Sequence, residues 1–261
     1  FLLLTNPIKT INKIIEFVFQ KKININPSYI FYSGSVSFKI WNKYSNTSKL
    51  VSVPSLDYDR YLKFKESKKK IPNNKKNKIA TFISGYHKHP DEILKKENLI
   101  KQKQPSEIQY YKPIQTFLKD FSEISKLQVQ IAKHPKQESN KNFYKFGKQF
   151  SDRTFQLVRD SSFVIAQSST AISWAVLFSK PMLFITNSNF PHDTKKKIEV
   201  IAKYFGKKPF DVCKEKIDFQ RFEKEKKINH EKYSNYIREY LLHKKEKRPS
   251  YKIIYNFMKG K

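Results

Sequence analysis

Residues 157–186 read LVRDSSFVIAQSSTAISWAVLFSKPMLFIT. Two apolar runs in this stretch, at residues 162–166 and 182–186, have the length and composition of buried strands. Residues 171–179 between them have helical periodicity, and this helix is predicted to end before Pro181, because proline cannot continue a helix. Strand, helix and strand in this order predict a βαβ unit with two parallel strands.

The same alternation continues on both sides of this unit. The pattern predicts further strands at residues 79–84 and 127–132, and further helices at residues 110–126, 154–159 and 195–205. A chain in which strands alternate with helices folds as an α/β protein with a parallel sheet. We therefore expect a Rossmann-like domain at residues 79–205.

The residues that precede this domain, 1–78, predict a smaller N-terminal α/β portion. They contain an amphipathic helix at residues 8–21, a strand at 29–32 that enters a turn at Ser33-Gly34-Ser35, and a second apolar run near residues 50–53. This portion ends in residues 63–78, which hold eight lysines against the single acidic residue Glu66 and predict a solvated linker. Residues 206–261, at the other end, predict basic C-terminal helices that cross back toward the N-terminal portion.

The chain is 261 residues long and carries 53 lysines and arginines against 23 acidic residues, a formal net charge of +30. Only six of these cations are arginine, the residue that pairs best with phosphates and guanine edges. A composition rich in lysine and asparagine is typical of AT-rich coding sequences, so we expect no dedicated nucleic-acid partner. Coding bias is thus the favoured explanation of the lysine excess, which would in addition allow peripheral contact with anionic membrane lipids.

Other features of the composition exclude several classes of protein. Hydrophobic residues make up 38% of the chain, which is enough for a buried core and excludes a disordered basic tail. Cys213 is the only cysteine, so the sequence excludes a disulfide framework and a cysteine-based zinc site. The longest apolar stretch, residues 163–178, is shorter than the ~20 residues that cross a bilayer. These features predict a cytoplasmic protein that contacts, at most, the inner face of the membrane.

Polar residues follow four of the predicted strands directly. Because ligands of open parallel sheets bind outside the carboxyl ends of the strands, we expect these residues to line one site. They are Gly85-Tyr86-His87-Lys88-His89-Pro90-Asp91, Lys133-His134-Pro135, Ser168-Ser169-Thr170 and Thr186-Asn187-Ser188.

Hydroxyl and imidazole groups among these residues suit a phosphate. Ser168, Ser169 and Thr170 lie between a strand and a helix, where hydroxyls and free N–H groups bind anions. The alternative is that one serine only caps the helix. His134 can donate a hydrogen bond to a phosphate oxygen, and Pro135 fixes the loop that presents it. The alternative for His134 is an ordinary histidine of a surface loop.

Candidate catalytic residues follow the first strand of the domain. His87, His89 and Asp91 lie at its carboxyl end, within reach of the same site. Transfer of a group to a hydroxyl requires a base that takes the hydroxyl proton, and imidazole and carboxylate groups serve in that role. These three residues are therefore the predicted candidates for the general base.

Two further patterns have a structural interpretation and a functional one. Asp57 and Asp59 form a D-x-D pattern that can bind Mg²⁺ or Mn²⁺. A turn before a helix at residues 60–65 is the favoured interpretation of that pattern. Tyr110-Tyr111 and Trp174 are predicted to pack in the core, and stacking of Trp174 on a base or sugar is the alternative.

The HP and SST motifs carry a resemblance to a known family. IAKHP at residues 131–135, followed by residues 157–186, resembles the nucleotide-binding half of GT-B-type glycosyltransferases. The resemblance spans residues 79–190 and is strongest to bacterial capsule and surface-polysaccharide enzymes, including sialyltransferase and polysialyltransferase relatives. It implies a CMP-sugar donor, no metal cofactor, and contacts to the donor phosphate and ribose from His134, Ser168, Ser169 and Thr170. The Asp/Glu-Asp/Glu-Gly motif that supplies the base in those relatives does not occur in this sequence.

Three functions are compatible with the sequence. The first is a glycosyltransferase that moves a sugar from a nucleotide donor, with a CMP-sugar expected, to a surface glycan or lipid-linked acceptor. The second is a CDP-polyol phosphotransferase of the teichoic-acid type, which would use the same kind of domain. The third is a non-enzymatic basic module that binds nucleic acid or anionic membrane, with an affinity that falls steeply with salt.

Overall fold

The computed structural model describes residues 27–44, 47–67, 78–87, 105–137, 141–244, 246 and 248–260, so the helix predicted at residues 8–21 lies outside the described residues. The strands within these ranges are β1 (Tyr29–Tyr32), β2 (Lys49–Ser52), β3 (Ile79–Ile83), β4 (Gln128–Ala132), β5 (Lys148–Phe150), β6 (Phe163–Ala166), β7 (Met182–Thr186) and β8 (Phe210–Asp211). The helices are α1 (Gly34–Tyr44), α2 (Leu56–Glu66), α3 (Glu107–Ser125), α4 (Thr154–Asp160), α5 (Ile172–Leu177), α6 (His192–Tyr204), α7 (Phe219–Glu225), α8 (His230–Tyr236), a π-helical turn (Ile237–Leu241) and α9 (Ser250–Met258). None of these described helices combines the length and the apolar composition that a membrane crossing requires.

Six of the strands form one sheet in the order β5-β4-β3-β6-β7-β8. Every neighbouring pair in this sheet is parallel. Counted from β3 as the first strand, the order is the 3-2-1-4-5-6 order of the Rossmann fold. The prediction of an α/β protein with a parallel sheet is therefore confirmed. The strand order reverses between β3 and β6, which is where such sheets open a crevice for a ligand.

The central strands are buried on both faces, which explains why they appear in the sequence as continuous apolar runs. β6 is buried along its whole length and lies between β3 and β7. Helix α3 packs an apolar stripe on this core, and the ring of its Phe121 lies 5.4 Å from the ring of Phe163 in β6. The sheet thus forms a rigid support for the loops that follow its strands.

Helix α3 begins earlier than predicted, at Glu107, because a capping box precedes its apolar stripe. Ser106 Oγ accepts a hydrogen bond from the Gln109 backbone N–H at 3.2 Å, and Gln109 Oε1 accepts one from the Ser106 backbone N–H at 2.9 Å. The box fixes the first turns of α3, in which Tyr110 and Tyr111 are buried as predicted. The start of α3 therefore holds Tyr110 in one position at the carboxyl edge of the sheet.

The N-terminal portion is a small parallel unit in which β1 pairs with β2. The turn predicted at residues 33–35 is wrong, because helix α1 begins at Gly34, whose φ is +72°. The turn predicted around the D-x-D pattern is also wrong. Ser55 caps α2 by accepting a hydrogen bond from the Tyr58 backbone N–H, so the helix already includes both aspartates. Residues 63–66 are helical rather than part of the predicted linker.

The C-terminal segment returns to the N-terminal portion. Asp59 of α2 accepts a hydrogen bond from the Ser250 backbone N–H at 2.9 Å, at the first residue of α9. Phe257 of α9 packs edge-on against Tyr29 of β1, with ring centroids 4.6 Å apart. These contacts join the two ends of the described chain.

Lys180, the residue before Pro181, is a buried cation that is 1% exposed. Its Nζ donates hydrogen bonds to the backbone oxygens of Arg159 at 2.7 Å and Ser161 at 2.5 Å, at the end of α4. Burial lowers the pKa of Lys180 from 10.5 to about 8, against the opposing effect of nearby Asp160. Lys180 thus satisfies buried carbonyl groups but is held in a site that disfavours its charge.

Replacement of Lys180 by methionine is expected to remove a pH dependence from the free energy of unfolding. Between about pH 8 and pH 10.5 the unfolded chain binds a proton at Lys180 that the folded chain does not, so wild-type stability should rise across this range. The rise should total about 3 kcal/mol. The measurement is urea unfolding of wild type and of Lys180→Met at several pH values in this range. The difference between their free energies of unfolding should change with pH by this amount. A difference that stays constant with pH would contradict the prediction.

Candidate functional site

A cavity of about 370 Å³ opens at the carboxyl ends of β3, β4 and β6. It lies at the reversal of the strand order, which is the ligand-binding position of open α/β sheets. The loops after these strands form one side of the cavity, and the starts of α3 and α6 contribute the other side. The sheet topology therefore brings together residues that are far apart in the sequence.

This cavity collects most of the residues that the sequence predicted for nucleotide binding or for catalysis. Those that line it are His87, His134, Ser168, Ser169 and Thr170. Pro135 directly follows His134 but is exposed and is not one of the lining residues. His89 and Asp91 lie outside the described residues.

The residues that follow β7, the fourth of the predicted strand ends, make hydrogen bonds within the protein and do not line the cavity. Asn187 is fully buried, and its Nδ2 donates a hydrogen bond to the backbone oxygen of Gln109 at 3.0 Å. The hydroxyl of Ser188 donates to Asp211 Oδ2 at 2.5 Å. These bonds tie the end of β7 to α3 and β8, so the expectation that Asn187 and Ser188 line the site is wrong. Phe190, further along the same loop, does line the cavity.

His134 has a fixed tautomer. Its Nδ1 accepts a hydrogen bond from the backbone N–H of Lys136 at 3.1 Å. A neutral imidazole whose Nδ1 accepts carries its proton on Nε2. The ring also stacks on Tyr86, with centroids 6.1 Å apart and an interplanar angle of 20°. His134 therefore carries an Nε2–H donor on a ring that is held in place, which suits a phosphate oxygen.

His87 is oriented through its other nitrogen. Its Nε2 lies 2.6 Å from the backbone oxygen of Pro105, which can only accept a hydrogen bond. Nε2 therefore carries the proton, and the neutral ring has its lone pair on Nδ1. The ring also contacts Tyr110 edge-on, with centroids 5.4 Å apart. An imidazole that a carbonyl group orients in this way has the arrangement of a general base.

The three hydroxyl residues after β6 differ in their contacts. Ser169 Oγ accepts a hydrogen bond from the Ala171 backbone N–H at 3.2 Å, so this serine shapes the turn that leads into α5. Ser168 and Thr170 are exposed where they line the cavity. Helix α5 has 6 residues and is shorter than predicted, which limits the contribution of its dipole. The hydroxyls themselves are therefore the candidate anion-binding groups at this strand end.

Gln167, Gly85 and Tyr110 form a part of the site that the sequence did not predict, since only Gly85 was expected to line the site and Tyr110 was expected to pack in the core. Gln167 Oε1 accepts hydrogen bonds from the backbone N–H of Gly85 at 3.1 Å and from the hydroxyl of Tyr110 at 3.3 Å. All three residues line the cavity. The available signal was a glutamine placed directly after four buried apolar residues of β6, where a polar side chain needs a partner.

Helix α6 contributes charge to the cavity. Lys197 is exposed and lies on the side of α6 that lines the cavity, together with Thr194 one turn earlier. Lys197 is the only lysine or arginine among the described residues that line the cavity. The sequence predicted this helix but did not indicate which of its many lysines faces the site.

The D-x-D aspartates hold helices together. Asp59 binds the start of α9, as described above. Asp57 faces Ser173 of α5, and burial raises the pKa of its carboxyl, while the hydrogen bond to Ser173 and the charge of Arg60 act in the opposite direction. Within the described part of the chain, no three His, Cys, Asp or Glu side chains are grouped so that they could hold a metal ion.

Trp174 also serves packing between helices. It is half-buried, its ring meets Phe155 of α4 edge-on at 5.6 Å, and the guanidinium group of Arg60 lies 5.5 Å from the centre of its ring. These contacts join α5 to α4 and α2. Trp174 is not among the residues that line the cavity, so its contacts agree with the packing interpretation.

The cavity combines a polar rim with a largely neutral floor. The cavity rim (His134, Ser168, Thr170 and Lys197) is exposed or half-buried and carries hydroxyl, imidazole and ammonium groups. The cavity floor (Ile83, Tyr110, Gln167 and Phe190) is buried and carries no ionised side chain. Comparison of the chain with models of protein families, with curated proteins and with solved structures finds no match.

Proposed function

We propose that this protein is a glycosyltransferase of the GT-B type that binds a nucleotide sugar, a CMP-sugar by preference, in the cavity and transfers the sugar to a surface glycan or lipid-linked acceptor. The observation that carries the proposal is the convergence of His134, Ser168, Thr170 and Lys197 on one rim, at the reversal of the strand order. This rim offers imidazole, hydroxyl and ammonium donors, which together suit a phosphate group.

The rim donors support the departure of the nucleotide. When the bond between the sugar carbon and the phosphate oxygen breaks, the electron pair stays on the phosphate. The Nε2–H of His134, the hydroxyls of Ser168 and Thr170 and the charge of Lys197 are the groups that would stabilise it. The same groups would fix the position of the donor before transfer.

His87 is the described residue best arranged to act as the base. In the proposed step the acceptor oxygen forms a bond to the sugar carbon, and its proton moves to Nδ1 of His87. Because Pro105 fixes the proton of the neutral ring on Nε2, Nδ1 can accept another proton without a change of tautomer. The imidazolium ion formed in this step would keep its hydrogen bond to the Pro105 carbonyl.

The return of the C-terminal segment gives further support. A glycosyltransferase of this type is expected to have a smaller N-terminal α/β portion that faces the Rossmann-like domain, and C-terminal helices that cross back to that portion. Here α9 contacts β1 and α2, and the π-helical turn contacts α1. The N-terminal unit also packs directly on the Rossmann-like unit, since the ring of Phe64 in α2 lies 6.1 Å from the ring of Phe155 in α4.

Nucleotide binding tests the proposal directly. Calorimetric titration should give a dissociation constant for CMP that rises at least about tenfold in His134→Ala and in Ser168→Ala, because a hydrogen bond to a charged group contributes about 1.5–3 kcal/mol. His230→Ala and Ser234→Ala are matched controls, since both residues are exposed on α8 and neither lines the cavity. Titration of CDP, UDP and GDP under the same conditions identifies the preferred nucleotide.

The outcomes separate the alternatives. Turnover of CDP-glycerol or CDP-ribitol, without transfer from a CMP-sugar, would replace the proposal with a polyol phosphotransferase that uses the same cavity. Absence of binding to any of these nucleotides, together with salt-sensitive binding to RNA or anionic vesicles, would point to a basic binding module. Equal CMP affinity in wild type and both rim variants would place the nucleotide elsewhere and overturn the proposal.

A further inference from the structure

The amide group of Gln167 has one possible orientation. Its Oε1 accepts from two donors, the backbone N–H of Gly85 at 3.1 Å and the hydroxyl of Tyr110 at 3.3 Å. An amide rotated by half a turn would direct its NH₂ group toward the Gly85 N–H, and two donors cannot bond each other. The oxygen is therefore committed to Gly85 and Tyr110, and Nε2 is directed away from them.

Gln167 Nε2 is a buried donor for which the described residues supply no acceptor. Gln167 is 5% exposed, and no described residue accepts a hydrogen bond from its Nε2 atom. An unsatisfied buried donor is destabilising by about 1–3 kcal/mol and is rare in folded proteins. The residue that carries this donor lines the cavity floor, where a bound ligand can supply the acceptor.

The surroundings of this donor favour a neutral ligand atom over a phosphate. The cavity floor is aromatic and apolar around Gln167, and the rings of Tyr110 and Phe190 lie 4.9 Å apart. A phosphate placed on the floor would lose its hydration among groups that carry no positive charge. A carbonyl oxygen or ring nitrogen of a nucleobase loses less hydration, and its flat ring suits an aromatic wall.

We infer that Gln167 reads the base of the bound nucleotide, through a hydrogen bond from Nε2 to a carbonyl oxygen or ring nitrogen of that base. The inference rests on the proposed function, because it takes the ligand of the cavity to be a nucleotide. It divides the site into two subsites. The rim holds the phosphate, and the floor selects the base.

The test is the preference of the protein for CMP over ribose 5-phosphate, which keeps the sugar and phosphate but lacks the base. Gln167→Glu retains an oxygen for Gly85 and Tyr110 but replaces the NH₂ donor with an oxygen. The new negative charge weakens the binding of both phosphate compounds alike, so its effect cancels in the ratio of their dissociation constants. We expect the dissociation constant of ribose 5-phosphate divided by that of CMP to fall at least about tenfold in Gln167→Glu relative to wild type.

Two further variants make the result decisive. Gln128→Glu makes the same chemical change at an exposed residue of β4 outside the cavity lining and should leave the ratio unchanged. Gln167→Met removes the donor without adding charge, so it replaces Gln167→Glu if circular dichroism shows that the latter is unfolded. An unchanged ratio in a folded Gln167 variant would overturn the inference while leaving the proposed function in place. Failure of wild type to bind CMP at all would overturn both.

Discussion

Substitution of Gly85 by alanine is expected to leave the protein folded and to weaken CMP binding by about 100-fold. A Cβ atom at this position would lie 2.3 Å from Gln167 Oε1 and 2.7 Å from the hydroxyl oxygen of Tyr110, well inside contact distance. Both side chains must move, and the hydrogen bond from the Gly85 N–H to Gln167 is lost with that movement. Overpacking of the floor costs about 1–3 kcal/mol, and the upper part of this range corresponds to a loss of affinity of about 100-fold.

The folded state should survive this change because the displaced atoms are the ends of side chains. Overpacking of this kind destabilises by about 1–3 kcal/mol, which urea unfolding would detect as a lowered midpoint. Gly260→Ala is the control for a glycine-to-alanine change outside the site, since no atom of the described residues lies within 4 Å of its added Cβ. CMP affinity in Gly85→Ala equal to that of Gly260→Ala would show that the cavity floor does not contribute to binding.

The sheet was predictable because its central strands are buried on both faces. β3, β6 and β7 appear in the sequence as short apolar runs, and β4 alternates Gln128 and Gln130 with apolar residues. The observed bounds of these four strands agree with the predicted ones at five of the eight ends and differ by one residue at the other three. β5 and β8 were not predicted, because they are edge strands of 3 and 2 residues and carry polar residues within them. Helix α1 was missed because its first residue is a glycine, which ordinarily indicates a turn.

The rim of the site was predictable, and the floor was not. Residues such as His134 and Ser168 directly follow strands, so the topology of a parallel sheet places them at one edge without further information. The partnership between Gly85 and Gln167 joins residues 82 positions apart, and a hydrogen bond between a backbone N–H and a side chain leaves no periodic signal. The same limit applies to Asn187, whose partner on α3 lies 78 positions away.

The D-x-D pattern illustrates why a short motif needs its structural context. Two aspartates at this spacing are compatible with a metal site, a turn or a helix start. The decisive residue is Ser55, whose side chain caps α2 and brings Asp57 and Asp59 into the first turn of that helix. Each carboxylate then meets a different element, α5 for Asp57 and α9 for Asp59. Asp59 therefore serves the joint between the two ends of the described chain, and Asp57 serves the contact between α2 and α5.

That joint has its tightest contact at Gly34, and Gly34→Ala is expected to lower the free energy of unfolding by at least about 3 kcal/mol. A Cβ atom on Gly34 would lie 2.2 Å from the backbone oxygen of Glu239 and 2.6 Å from the backbone nitrogen of Tyr240. Both atoms belong to the π-helical turn, so no side-chain rotation relieves the overlap. Helix α1 must separate from this turn, which should speed hydrogen exchange of amides at residues 237–241.

Gly206→Ala separates the two causes of this loss. Gly206 has the same φ of +72° as Gly34, but in the part of the chain that the structure describes nothing lies within 4 Å of its added Cβ. Left-handed backbone strain alone should destabilise that variant by about 1–2 kcal/mol. The additional loss in Gly34→Ala then measures the contact between α1 and the π-helical turn. Equal losses in the two variants would mean that this contact does not hold the C-terminal segment, because only the shared backbone strain would then remain as the cause.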